Sequence, residues 1–286
     1  MRNLLLIDAN ALVHRCFHAL PPLTGSGGKP VGSIYGLASI LLKIFREQPF
    51  DYIAAFFDRP EPTFRKKIFD EYKIHRPKAP DELVSQIIEA HKLFEAFDVK
   101  IFETPGFEAD DLIGAAVEKF KNVPDLKIII LTGDLDTLQL IDNERVAVEI
   151  LKKGVSETVI YDEAAVIGRY GVLPNQLPDY KGLVGDPSDN IPGVSGIGPK
   201  TAAPLIQKYG NLENFFENGK KEKAYEKIAK SKEQALLSRK LARIRRDAEL
   251  SSANLEDLKY KGLPKANIAG YFNGLGFKSL VNRMLS

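Results

Sequence analysis

Cysteine occurs once in this 286-residue chain, at Cys16; tryptophan is absent and methionine occurs twice. One cysteine excludes an internal disulfide and any cysteine-rich zinc module. His14, Cys16 and His18 lie near one another, with the two histidines spaced for one helical face, but a fourth zinc ligand is missing. Long apolar runs are also missing. Stretches such as Ile128 to Leu131 are far too short to span a bilayer, and Asp8 interrupts Leu4 to Ile7 too early for a signal peptide. A soluble, cytoplasmic protein without a membrane partner is expected. What is present is ordinary for a globular chain, with 44% hydrophobic and 27% charged residues, which excludes disordered and collagen-like classes. The length fits one large or two modest domains.

The net charge of +2 hides an uneven distribution. Residues 199–246 carry 13 Lys/Arg against 5 Asp/Glu, and residues 63–78 carry 6 against 2. The rest of the chain is therefore acidic. Two basic segments on an acidic body fit a polyanion whose backbone they neutralise, and fit equally well solvated Lys-rich helices.

The first half alternates apolar strand-like runs (4–7, 52–57, 99–102, 127–132) with helical spacing (31–47, 81–97, 108–121). That order predicts an α/β fold: a mostly parallel central sheet with helices on both faces. Runs without polar alternation fit strands buried on both sides. The strand-like runs stop near residue 180, where a Gly/Pro-punctuated stretch leads into basic helical sequence. The expected division is an α/β domain over 1–180 and a helical region over 181–286, with a basic and aromatic excursion from the sheet within about 60–95.

The acids carry the chemistry. Asp8, Asp58 and Asp134 each follow a predicted parallel strand, and the carboxyl ends of such strands line the ligand crevice of open α/β sheets. Glu108, Asp110 and Asp111 open a helix; Asp136 follows Asp134; Asp186 and Asp189 lie in Gly185-Asp-Pro-Ser-Asp-Asn-Ile191. Taken singly, each has a bland reading as a helix cap, a dipole partner or a turn residue. Taken together, converging carboxylates repel and need countercharge. An all-oxygen set without a Cys/His cluster points to two Mg²⁺ or Mn²⁺ ions and phosphoryl chemistry.

These residues also carry a resemblance. Leu6-Ile-Asp-Ala-Asn10, Phe57-Asp58, Thr63-Phe-Arg65, Tyr72-Lys73, Arg76-Pro77, Gly106 to Asp111, Thr132-Gly-Asp-Leu-Asp136, Gly185 to Gly198 with Lys200-Thr-Ala202, and Leu275 to Leu280 occur in one order. In that order the chain resembles the 5′ nuclease (5′-3′ exonuclease) domain of bacterial DNA polymerase I, within the flap endonuclease family. The resemblance implies a PIN-like nuclease core, a helical arch and a helix-three-turn-helix. It implies removal of RNA primers and flaps at DNA 5′ ends, beside a polymerase in cis or in trans, by a monomer. It assigns Asp8, Asp58, Glu108 and Asp110 to one metal, and Asp134, Asp136 and Asp189 to another, with Asp111 and Asp186 near or bound through water. It makes Lys73, Arg76 and Arg15 catalytic cations. Arg65, Tyr72 and His14 become DNA contacts, with Tyr72 stacking or packing and His14 meeting a terminal base. Leu135 stands where many relatives carry Lys.

Gly193, Gly196 and Gly198, followed by a helix after Pro199, would expose N–H groups to a phosphate, with Lys200 adding charge. The resemblance adds a potassium ion at this turn. Pro199 precedes Lys200-Thr201 where a Walker A loop needs glycine, so that motif is excluded. Two rivals stay open: a PIN-type ribonuclease, and a non-cutting module that recognises branched DNA.

Overall fold

The computed structural model describes residues 1–142, 145–152, 157–250 and 253–285. Six strands form one sheet: β1 (Arg2–Asp8), β2 (Tyr52–Phe56), β3 (Lys100–Phe102), β4 (Leu126–Thr132), β5 (Val146–Leu151) and β6 (Thr158–Tyr161), in the order β3-β2-β1-β4-β5-β6. The first five are parallel and β6 closes one edge antiparallel. β1 to β4 match the apolar runs of the sequence; β5 and β6 do not stand out there. Glu149 interrupts the apolar run of β5, and β6 is a four-residue edge strand.

Thirteen helices surround the sheet among the described residues: α1 (Ala9–Ala19), α2 (Gly32–Glu47), α3 (Phe64–Ile68), α4 (Asp81–Ala96), α5 (Ala109–Phe120), α6 (Glu163–Tyr170), α7 (Leu177–Val184), α8 (Pro199–Tyr209), α9 (Leu212–Asn218), α10 (Tyr225–Lys230), α11 (Lys232–Ala242), α12 (Lys265–Leu275) and α13 (Lys278–Leu285). β1 shows why both sheet faces are covered. Leu4 and Leu6 enter one core with residues of α5, α7, α8 and α9, while Leu5 and Ile7 enter a second with residues of α1, α2, α4, α12 and α13. All four are fully buried, each contributing about 1.5–3 kcal/mol. The C-terminal helices α12 and α13 thus pack back on the α/β layer through Ile268, Phe272, Leu280 and Met284.

Two placements shape the site. The excursion after β2 holds only the short α3 and a run of turns; α4 lies against the second core through Leu83, Ala90, Leu93 and Phe94. On the opposite face α5 passes so close to the chain after α11 that a Cβ on Gly114 would lie 2.6 Å from the Arg245 carbonyl oxygen. Pro204 does not break α8, which continues to Tyr209.

Candidate metal and nucleic-acid site

Parallel strands that end side by side deliver their terminal acids to one edge. Asp8 ends β1, and its carboxylate caps α1 by accepting from the Ala11 N–H at 3.0 Å. Thr132, the last residue of β4, donates to Asp8 at 2.7 Å and accepts from the Asp134 N–H at 2.9 Å. Asp58, just beyond β2, accepts from the Ala109 N–H at 2.6 Å and from the Asn10 amide at 3.0 Å. Glu108 caps α5, in a capping box with Asp111. The bland cap readings hold for these residues, and the caps fix the carboxylates in place.

Asp8, Asp58, Glu108, Asp110, Asp134, Asp136 and Asp186 all line one cavity of about 730 Å³, together with His14, Arg15, Lys73, Arg76 and Lys181. Crowding and burial shift their titration. Burial, reinforced by Asp58 and Asp134, pushes Asp8 up to about 7. Burial, with Glu108 adding to it, raises Asp58 as well. Asp110 is held well above the carboxylate range by burial and by Asp111. Asp136 is pushed up to about 6 by burial, against the pull of Lys181. Glu108 goes the other way: burial opposes its charge, but Lys73 and Arg65 outweigh it and hold the carboxyl below its ordinary value. Several displaced carboxyls in one cleft are the electrostatic mark of a functional site.

The protein's own cations sit among these acids. Lys73 reaches Glu108 at 2.8 Å and Asp189 at 3.8 Å, and Arg76 reaches Asp189 at 2.5 Å. Lys73 holds a left-handed backbone (φ 54°), uncommon for a residue with a side chain, and its N–H donates to the Asp189 carbonyl. Asp189 does not line the cavity; it is tied to the excursion through Arg76, Lys73 and the Tyr72 hydroxyl at 3.0 Å. The Lys181 ammonium bridges Asp136 and Asp186. Lys181, Asn10 and Thr132 join the site without having been expected there from the sequence. The available signals were a lysine five residues before Asp186, and polar residues two positions from Asp8 and Asp134.

Four residues depart from the roles expected of them. Arg65 is not a DNA contact: it is 2% exposed and grips Asp111 with two bonds of 2.7 and 2.8 Å, and its Nε donates to the Leu241 carbonyl. Asp111, fully buried, does not line the cavity and has no oxygen left for a metal, although it lies just behind Glu108 and Asp110. Both of its oxygens are taken by Arg65 and by the N–H groups of Glu108 and Arg245. Tyr72 is also buried, so it packs rather than offering a face to a base. At the glycine turn, Gly193 is buried, its N–H donating to the Ser238 hydroxyl and its carbonyl accepting from Gln234, which removes it from phosphate binding. Its φ of +62° and a would-be Cβ contact of 2.3 Å with the Gly185 nitrogen show why it must be glycine. Gly196, Gly198 and Lys200 are exposed at the start of α8.

As they stand, no three His, Cys, Asp or Glu side chains among the described residues are grouped closely enough to hold one ion. The donor set nonetheless fits hard divalent cations: it is all carboxylate oxygen, and Asp110 Oδ1 is buried without a hydrogen-bond partner. The carboxylates that could hold such ions are those lining the cavity, Asp8, Asp58, Glu108, Asp110, Asp134, Asp136 and Asp186, with Asp189 beside it on Arg76 and Lys73. Lys73, Arg76 and Lys181 supply the countercharge.

Comparison with known proteins agrees with this geometry. Residues 3–171 match the 5′-3′ exonuclease N-terminal resolvase-like domain, and residues 172–266 match the 5′-3′ exonuclease C-terminal SAM fold. A 5′-3′ exonuclease of Aquifex aeolicus is 36% identical, the match covering 99% of this chain and 96% of that protein. DNA polymerase I of Caldicellulosiruptor bescii is 42% identical over 99% of this chain but only 33% of its own length, so the chain spans about a third of that relative. The flap endonuclease of bacteriophage T5, solved as a pseudo-enzyme-product complex with DNA and metal ions, shares the fold, with a TM-score of 0.67, 20% identity and full coverage of both chains. The chain belongs to the 5′-3′ exonuclease family.

Proposed function

We propose that this chain hydrolyses DNA phosphodiesters at free or flapped 5′ ends, using two Mg²⁺ or Mn²⁺ ions. The observation that carries the reading is one cavity lined by seven carboxylates and faced by Lys73 and Arg76 from the excursion after β2. When bound, the ions would supply the charge that lets these acids stay ionised together and would polarise the scissile phosphate. The chain's own part is electrostatic and positional. Thr132, Asn10 and the Ala11 and Ala109 N–H groups hold Asp8 and Asp58 in fixed rotamers. Lys73 and Arg76 stand where they could turn from Glu108 and Asp189 to a phosphate and offset charge developing on it. Arg15 lines the same cavity and would be a third cation for that phosphate, while His14, exposed on its lining, would meet a terminal base. Gly196, Gly198 and Lys200 offer a sequence-independent grip on duplex backbone at the start of α8. A potassium ion at that turn and RNA primer 5′ ends as substrates belong to the same proposal. So does partnership with a polymerase, supported by the DNA polymerase I relatives of greater length.

The test is a labelled 5′-flap duplex incubated with EDTA, Mg²⁺ or Mn²⁺, with product sizes mapped. Short 5′ products released only with the metals are expected. Tight flap binding with no cutting under either ion would replace this reading with the non-cutting module. D136A should abolish cleavage and leave duplex affinity within a few-fold.

A further inference from the structure

The acid-lined cavity has a counterpart of opposite charge. It encloses about 710 Å³ and is lined by Phe64, Pro178, Lys240, Arg243, Arg245 and Arg246, with Asp247 its one carboxylate among the described residues. We propose that this cavity is a nucleotide-binding site, taking a phosphate and a flat base together.

The charge balance argues for an anion. Asp247 is already held by Arg245, at 2.8 Å from Nε and 2.7 Å from Nη2. Arg243 is 55% exposed and comes no nearer than 3.9 Å to Asp179, while Arg246 lies 3.7 Å from Glu118. Separations this long, with the Arg243 head and both partners of the Arg246–Glu118 pair exposed, leave much of the positive potential unspent. Lys240 is exposed and forms no ion pair among the described residues. Concave, low-dielectric walls concentrate such a field on a bound anion. The volume lies in the range of ordinary small-molecule sites.

Shape points to a flat base beside the phosphate. The Arg245 guanidinium lies 5.0 Å from the Phe64 ring centre and 4.9 Å from that of Phe107. Clamped also by Asp247, it is a fixed plane rather than a swinging point charge. A guanidinium plane is a surface on which nucleobases stack, and Phe64, Pro178 and Ile244 supply apolar wall beside it. Inorganic phosphate would use only the cations, and an apolar ligand would have no use for them; a nucleotide uses both.

The cavity lies behind the acid cluster. Arg65 faces Glu108, Asp110 and Asp111, and its other bonds run to the Leu241 and Arg243 carbonyls. Two sources present the required chemistry: a free nucleoside monophosphate, or one unit of a single strand. The strand source rests on the nuclease reading; the free nucleotide does not.

Photoaffinity labelling in EDTA separates these. Two probes are used: 8-azido-dAMP, and a 5′-flap duplex with a single 8-azidoadenine in its unpaired arm. Adducts are mapped by peptide mass spectrometry. Labelling of Phe64 or of residues 240–247 by either probe is expected, dAMP competing better than inorganic phosphate. Labelling by the nucleotide alone names the free ligand, and labelling by the flap alone names the strand. The double variant K240E/R243E should lower labelling at least tenfold with an unchanged thermal midpoint. If that pair fails to fold, R243Q alone should lower it several-fold. Adducts confined to the neighbourhood of His14, Lys73 and Arg76, or insensitive to either variant, overturn the proposal. Metal-dependent cleavage is measured in parallel. Cleavage without these adducts removes the nucleotide site and leaves the nuclease reading standing; dAMP adducts without cleavage do the reverse.

Discussion

Asp8→Asn should stabilise the metal-free protein at pH 8 and leave its stability nearly unchanged at pH 4. Asp8 is 4% exposed, and burial beside Asp58 and Asp134 lifts its carboxyl from 3.8 to about 7. A folded-state pKa above the unfolded value stabilises the protein below the lower of the two. That contribution is lost as pH rises from about 4 through about 7. At about 1.4 kcal/mol per pH unit, the difference amounts to about 4 kcal/mol as an upper bound. Asparagine keeps the acceptor for the Ala11 N–H but must turn the Thr132 hydroxyl around, so a net gain of about 1–3 kcal/mol is expected. Urea unfolding in EDTA at both pH values measures it. A difference of the same size at pH 4 and pH 8, or a loss at pH 8, would refute the electrostatic account of the site. Mg²⁺ should reverse the ranking by binding the folded unmodified protein more tightly than the variant, adding up to about 4.1 kcal/mol at a thousandfold excess over its dissociation constant.

Arg65→Ala strands the buried Asp111 without its cation and should cost about 3–5 kcal/mol of stability in denaturant unfolding; no change would mean the pair is not structural. Lys73→Ala should slow flap cleavage about 100-fold or more. It should also shift the acid limb of the pH–rate profile upward, because Lys73 helps hold Glu108 low; an unaltered rate removes Lys73 from the active site. Gly114→Ala places a methyl group 2.6 Å from the Arg245 carbonyl oxygen and should lower the thermal midpoint, by about 1–3 kcal/mol of stability; an unchanged midpoint would show that α5 can move away from that chain at no cost.

What the sequence made legible follows from periodicity. Asp8, Asp58 and Asp134 could be placed together because each ends an apolar run, and parallel runs share a carboxyl edge. Glu108 and Asp110 followed as the opening of a helix. Long-range partners were not legible. Whether a cation in the 63–78 run faces water or the interior depends on Asp111, Leu241 and Arg243, which lie 46 to 178 positions away. Arg65 therefore looked like a phosphate contact and Asp111 like a ligand. Lys181 was hidden for a different reason: it lies on α7, in a stretch where the visible signal was only a change of composition. Gly193 was recognised as a turn residue, but the capture of its N–H by Ser238 depends on α11, far downstream.

The register of the sheet also sets when the acid cluster can come together. β1 pairs with β2 and, on its other side, with β4, bringing Leu6 beside Ile130 across more than a hundred intervening residues. Closing so long a loop is a late event in folding. Asp189 and its clasp on the excursion come later still along the chain. A ribosome-bound fragment ending before β4 thus carries Asp8, Asp58 and Glu108 but not the strand that sets Asp134 beside them. The acid cluster is therefore completed only once β4 has paired with β1 and the segment holding Asp189 has been made.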